Sequence, residues 1–155
     1  MIAIREIPVE QIEDFWKIHY DYLIQDEIIT EEEDKEYFQS EEYRGTIKEH
    51  MMRERDRHHM VYFVENGNNV GAAQYNIYQT EEGKCFILDF WVFQEYRGNR
   101  MGYRCFEALE YYTREAGAQY YEINCEKENA HRFWQLNGFA DAGVDEEGMP
   151  VMVKR

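Results

Sequence analysis

The chain has 155 residues, enough for one domain with a buried core, and a single domain over 1–155 is the expectation. Apolar residues make up 44% and aromatics 16%, which excludes a disordered solvating segment. With 32 acidic against 17 basic residues the net charge is −15, so the surface repels nucleic acid and anionic membrane and attracts cationic small molecules or basic partners; solubility alone is the bland account of the same charge.

No apolar run approaches the roughly 20 residues of a membrane helix. The opening MIAIREIPVE carries Arg5, Glu6 and Glu10, which argues against a signal peptide. A cytoplasmic protein without nucleic-acid or membrane partners is the simple reading. Cys85, Cys105 and Cys125 form no close pair, whereas zinc ligands usually stand about two to four residues apart. Reduced, buried thiols and no metal are expected.

In chain order, Ala3 to Ile7 alternates weakly and suggests a first strand. Pro8 then opens a helix whose Val9, Ile12, Phe15, Trp16, His19 and Leu23 share one stripe. An acidic segment runs from Glu27 to Glu42. Tyr43, Ile47 and Met51 continue it at four-residue spacing, so at least its second half should be helix. His58-His59 is expected as a surface pair. Val61 to Val64, Val70 to Tyr78 and Cys85 to Phe93 are β-rich runs separated by Asn66-Gly67 and Glu82-Gly83, a meander of antiparallel hairpins. Met101 to Ala116 has a helical stripe closed by Gly117, Tyr120 to Ile123 is a strand, and Glu128 to Leu136 is a short helix. Short strands near Phe139 and Val151 finish the chain. The order β-α-α-β-β-β-α-β-α-β-β requires one right-handed parallel crossover inside an otherwise antiparallel sheet, a mixed α/β fold.

The stretch Asp89 to Gly102, DFWVFQEYRGNRMG, runs a strand into a glycine-bearing turn and then a helix. The unpaired amides of a helix's first turn and its positive dipole end make an anion site. Arg97 and Arg100 add charge-assisted donors. A glycine at such a place is also often just a turn.

This segment resembles the cofactor motif of the GNAT superfamily of N-acetyltransferases, Q/R-x-x-G-x-G/A. Arg97 fills its first position and Gly102 its last, and Val92 and Tyr96 fit the preceding V-x-x-x-Y-R-G run. Ala130 to Phe139, AHRFWQLNGF, resembles the family's A-x-x-F-Y-x-x-x-G-F helix and strand. The two motifs stand in the family's order, and the element order matches along the whole chain. The resemblance implies a GNAT-like acyl-CoA N-acyltransferase fold, a mostly antiparallel sheet with a parallel β-α-β crossover and flanking helices. It implies acetyl-CoA as co-substrate, no metal, and direct transfer to a primary amine in a ternary complex. Pantetheine would lie along the backbone near Trp91 and Val92, one amide polarising the thioester carbonyl. Arg97 and the amides from Gly98 through Asn99, Arg100 and Met101 to Gly102 would hold the pyrophosphate. Asn129, Phe133 and Trp134 of the later helix would complete the cofactor side.

Three positions depart from the family pattern. Arg100 stands where the middle glycine is usual. Lys127 stands where an asparagine is frequent, with Asn129 displaced by two. Trp134 stands where a tyrosine commonly protonates the leaving thiolate, and an indole N–H is a hydrogen-bond donor rather than an acid.

For the amine's proton, Asp89 is the first candidate because it shares a strand face with Trp91; an ammonium anchor or a plain strand residue are its other readings. Glu122 is second. For the thiolate, Tyr121, Tyr111 or solvent could serve, and a thiol of pKa about 8.5 can also leave unaided. The acidic segment with Glu27, Glu31 and Asp34 motivates a cationic acceptor, against the alternative of a solvated helix surface. Arg100 and Trp134 motivate a second function, a silent acyl-CoA-binding or regulatory module. A third is an unrelated α/β domain with an accidental turn. Such folds commonly dimerise through terminal strands, which leaves a homodimer open.

Overall fold

A computed structural model describes residues 1–155. Seven strands form one sheet: β1 (Ala3–Glu6), β2 (His58–Glu65), β3 (Asn68–Tyr78), β4 (Lys84–Val92), β5 (Tyr120–Asn124), β6 (Ala140–Val144) and β7 (Pro150–Lys154). Five helices flank it: α1 (Ile12–Gln25), α2 (Glu32–Gln39), α3 (Glu41–Met51), α4 (Met101–Glu115) and α5 (Glu128–Leu136). The strand order is β1-β2-β3-β4-β5-β7-β6. Every neighbouring pair is antiparallel except β4 and β5, which α4 joins by the expected crossover. No helix is long and apolar enough to cross a membrane.

The acidic segment holds two helices where one was expected. Ser40 lies between them with extended backbone, φ −77° and ψ 154°, and its hydroxyl accepts the Tyr43 amide at 3.2 Å. A serine in that conformation caps the helix that follows and ends the one before it. Helix α2 buries nothing; α3 buries Tyr43 and Ile47. A second correction concerns His58, which is 2% exposed and not on the surface. Strand β2 already begins there, and alternation turns His58 inward with Met60 and Tyr62.

The sheet has a core on each face. On one side α4 and α5 cover Phe63, Tyr75, Ile87 and Met152; on the other α1 and α3 cover Met60, Tyr62, Ala72 and Trp91. The three cysteines are free and buried. Strand β4 changes its facing partway along. Ile87 pairs with Tyr75 and Asp89 with Gln74, so Leu88 is an extra residue, a bulge. Cys85 and Ile87 before it, and Phe90 and Val92 after it, face α4 and α5. The bulge therefore turns Asp89 and Trp91, two residues apart, to the α1 and α3 face.

Candidate active site

Strands β4 and β5 pair only from Lys84 to Phe86, opposite Tyr120 to Glu122. Beyond Phe86 they part, and the rest of β4, still paired with β3 on its other edge, has no strand on this side. Phe93 donates its amide to Val70 across β3 at 2.9 Å. Antiparallel alternation then turns the amides of Phe90 and Val92 the other way, into the gap. The Val92 carbonyl accepts Arg97 Nε at 2.8 Å, while its amide is left facing the gap. A strand edge buried in a cleft with unpaired amides is a ready receptor for a polar, extended ligand.

The gap widens into a cleft of about 470 Å³. Phe90, Trp91 and Val92 of β4 form one wall, and Asn129, Ala130, Phe133 and Trp134 of α5 the other. Arg97, Gly98 and Gly102 lie at the turn end, and Tyr22 and Asp26 come from the end of α1. Gly98, Asn99 and Arg100 have φ of 99°, 51° and 59°, three left-handed residues in a row that deliver the start of α4 to the cleft. The Met101 amide is used within the turn, donating to Gly98 at 3.0 Å, whereas the Gly102 and Tyr103 amides donate to no backbone carbonyl. Gly102 is bare for a steric reason: a Cβ there would stand 2.9 Å from Phe133 Cε1.

Of the residues nominated for cofactor contact, Trp91, Val92, Arg97, Gly98, Gly102, Asn129, Phe133 and Trp134 surround this one cleft. The side chains of Asn99 and Arg100 do not; they border a separate surface groove, and the Arg100 guanidinium sits 5.2 Å from the Tyr103 ring centre. Met101 is buried in the core. Trp134 packs edge-on against Phe106 and Phe139, so it also anchors α5 to the sheet.

Arg97 is tied across the cleft mouth. Its Nη2 donates to Asp26 Oδ2 at 2.8 Å. Lys127 Nζ donates to the Asp26 and Glu27 carbonyls at 3.2 and 3.5 Å. Tyr22 stacks on Trp91 with ring centres 4.4 Å apart and planes 7° from parallel. Burial, then the charges of Asp89 and Asp26, push its hydroxyl pKa up, so it carries its proton at neutral pH. Sequence reasoning passed over Tyr22 and Asp26. Tyr22 lies three residues beyond His19 and so falls on the same helical face, which was a usable signal.

Asp89 faces α1 and α3, with its side chain 16% exposed. Its Oδ2 accepts Gln74 Nε2 at 2.8 Å and His19 Nε2 at 3.1 Å. Glu122 lies elsewhere, at the closed end of the gap opposite Phe86, 3.7 Å from Lys84 Nζ. Tyr121 is not brought to the cleft at all. Alternation along β5 turns it into the core under α4, where its hydroxyl meets Thr113 Oγ1 at 2.5 Å and donates to the Glu110 carbonyl at 3.1 Å. Burial pushes its pKa up as well. Tyr111 is on the exposed side of α4.

A family model for the acetyltransferase (GNAT) family matches residues 9–139. No match was found among curated proteins. Among solved structures, the PaiA N-acetyltransferase of Thermoplasma acidophilum in complex with coenzyme A is 18% identical with a TM-score of 0.74, over 100% of this chain and 99% of that one. The putative acetyltransferase YycN of Bacillus subtilis is 15% identical with a TM-score of 0.76, over 94% and 96%. The N-acetylglutamate synthase of Neisseria gonorrhoeae, complexed with coenzyme A and N-acetylglutamate, is 15% identical with a TM-score of 0.66, over 100% of this chain and 35% of that one. These likenesses are of fold. The family match spans the phosphate-type turn and the α5 wall together, and on it the chain belongs to the GNAT acetyltransferase family.

Proposed function

We propose that the protein is an N-acetyltransferase moving an acetyl group from acetyl-CoA to a primary amine of a small cationic acceptor, by direct transfer in a ternary complex. The observation that carries this reading is the parting of β4 from β5, which leaves the Val92 amide and the open start of α4 facing one cleft; Asp89 lies three residues before Val92 on the same strand. The cleft fits an extended ligand with an anionic end. Its apolar walls suit a pantetheine arm, and Arg97 with the Gly102 and Tyr103 amides suits a pyrophosphate. The Val92 amide would polarise the thioester carbonyl as charge grows on its oxygen. Asp89 would bind the acceptor's ammonium and take one proton from it, so that the neutral amine attacks; the C–S bond breaks as the C–N bond forms, and the amine's second proton passes to solvent. The net charge of −15 favours a cationic partner. Trp134 offers no acidic proton, so the thiolate would leave as the anion, with Tyr22, which also lines the cleft, as the candidate hydrogen-bond donor to it. The same reading puts the protein in the cytoplasm, working on a diffusible amine rather than on nucleic acid or membrane.

The second reading, a silent acyl-CoA-binding module, is favoured by Trp134 in the acid's place and by the Asp26 carboxylate already holding Arg97. Thiol release from acetyl-CoA against a panel of amines separates the two, alongside a thermal shift with CoA alone. Thiol release dependent on a cationic amine supports transfer. A CoA shift without thiol release supports the silent module, and no CoA shift overturns both.

A further inference from the structure

Asp89 stands at the end of a series of buried polar side chains that no part of the acetyl transfer described above uses. Its Oδ2 accepts Gln74 Nε2 at 2.8 Å; Gln74 Oε1 faces His58 Nε2 at 2.8 Å; His58 Nδ1 faces Asn76 Oδ1 at 3.2 Å; and Asn76 Nδ2 donates to the Asp56 carbonyl at 3.2 Å. Gln74 is 0% exposed, His58 2% and Asn76 5%. From α1, His19, also 2% exposed, points Nε2 at the same Oδ2.

The chemistry of the ends fixes which way both amides are turned. Where Asp89 is ionised its carboxylate only accepts, so the Gln74 amide must turn its NH2 group to it and its oxygen to His58. The Asp56 carbonyl likewise only accepts, so Asn76 turns its oxygen to His58. Both ring nitrogens of His58 therefore face oxygens. Burial outweighs these contacts and lowers the ring's pKa to about 4, so it holds one proton at neutral pH. That proton belongs on Nε2, the nitrogen with the shorter contact. Asp89 thus has one oxygen clamped by two donors, from β3 and α1. Its Oδ1 has no partner within the protein and is not sealed from solvent.

We propose that His58, Gln74 and His19 are positioning residues for the acceptor amine. The series His58→Gln74→Asp89, with His19, locks the carboxylate by Oδ2 so that Oδ1 alone meets the substrate ammonium. The site assigned to Asp89 rests on the acetyltransferase reading; the series behind it is a separate claim about how that site is held. His58 is held away from the substrate, and its hydrogen-bond influence on Asp89 passes through the Gln74 amide.

The test uses the full chain with 1,4-diaminobutane and acetyl-CoA. His58→Leu removes the donor to Gln74, and His19→Phe keeps the ring stacked on Phe15 and Tyr43 but removes the donor to Asp89. Each is expected to raise KM for the amine about tenfold, the scale of a lost charge-assisted hydrogen bond, with the Kd for CoA unchanged. His58→Gln, which restores a donor, is expected to recover most of the loss. A KM shift below twofold in a folded His19→Phe protein, or no recovery in His58→Gln, overturns the proposal. Independently of any acceptor, long-range imidazole 15N spectra of the unaltered protein should show the Nε2–H tautomer for His58 and a proton on His19 Nε2. The Nδ1–H tautomer at His58 would also overturn it. Failure of CoA itself to bind would instead strike the acetyltransferase reading.

Discussion

Arg97 Nη2 meets Asp26 Oδ2 at 2.8 Å, joining the turn before α4 to the end of α1 across the mouth of the cleft. The guanidinium proposed to take a phosphate is thus already paired with a carboxylate, and an incoming anion has to share or displace it. Asp26→Asn keeps the shape and removes the competing charge. Binding of CoA, followed by titration calorimetry, should tighten several-fold, and more so at low salt. Weaker binding would mean that the ion pair holds Arg97 ready for its ligand.

Gly102 and Phe133 meet where α4 and α5 close the cleft. A Cβ on residue 102 would lie 2.9 Å from the ring, so Gly102→Ala should move Phe133 by a few tenths of an ångström. Gly102→Val must push it further into the passage. Overpacking of this kind costs about 1–3 kcal/mol. We expect Gly102→Val to lose CoA affinity by about tenfold or more, and Gly102→Ala to lose much less.

Arg100 adopts φ 59° in the turn, a conformation that costs a residue with a Cβ about 1–2 kcal/mol. Arg100→Ala and Arg100→Gly both lose the contact with Tyr103, but only glycine loses the strain. Denaturant midpoints should therefore make Arg100→Gly the more stable of the two by about 1 kcal/mol, the residual after glycine's larger unfolded-state entropy. Equal stabilities would mean that the turn relaxes when the side chain shortens.

His58 makes stability depend on pH in a defined window. Its ordinary pKa is 6.5, and burial lowers it to about 4 in the folded chain. Between those values the unfolded chain binds the extra proton. The contribution is therefore complete above pH 6.5 and is lost as pH falls toward 4, to a total of about 3 kcal/mol. The difference in unfolding free energy between the unaltered protein and His58→Gln, measured at pH 7 and pH 4.5, should shrink at the lower pH. A difference independent of pH would contradict a neutral buried imidazole.

Much of this architecture was legible in the sequence because period and turn chemistry agree there. The α1 stripe follows Pro8 with a clear hydrophobic period, and the hairpins at Asn66-Gly67 and Glu82-Gly83 and Gly117 at the end of α4 add a residue suited to left-handed backbone. The acidic segment lacked such agreement. With few apolar residues between Glu27 and Glu42, only the cap at Ser40 separates two helices from one. Within the site, residues carried by local motifs were found: Arg97, Gly102, Phe133 and Trp134. The surroundings of Asp89 were not, since His19 is 70 positions away and Gln74 15. Tyr121 was misjudged for a simpler reason: on a strand covered on one face, alternate residues face opposite sides, and only packing decides which side is the cleft.

The parting of β4 from β5 divides the molecule's chemistry by what supplies it. On the proposed cofactor side most donors are main-chain amides, which substitutions other than proline leave in place, joined by the Arg97 guanidinium. On the proposed acceptor side, Asp89, Gln74 and the two histidines are all side-chain groups. On that reading, exchanging a handful of side chains on the α1 and α3 face, with Tyr22 and Trp91 kept, should change the amine accepted and leave the acyl donor's seat in place. A search for new specificities should therefore draw its library from that face alone.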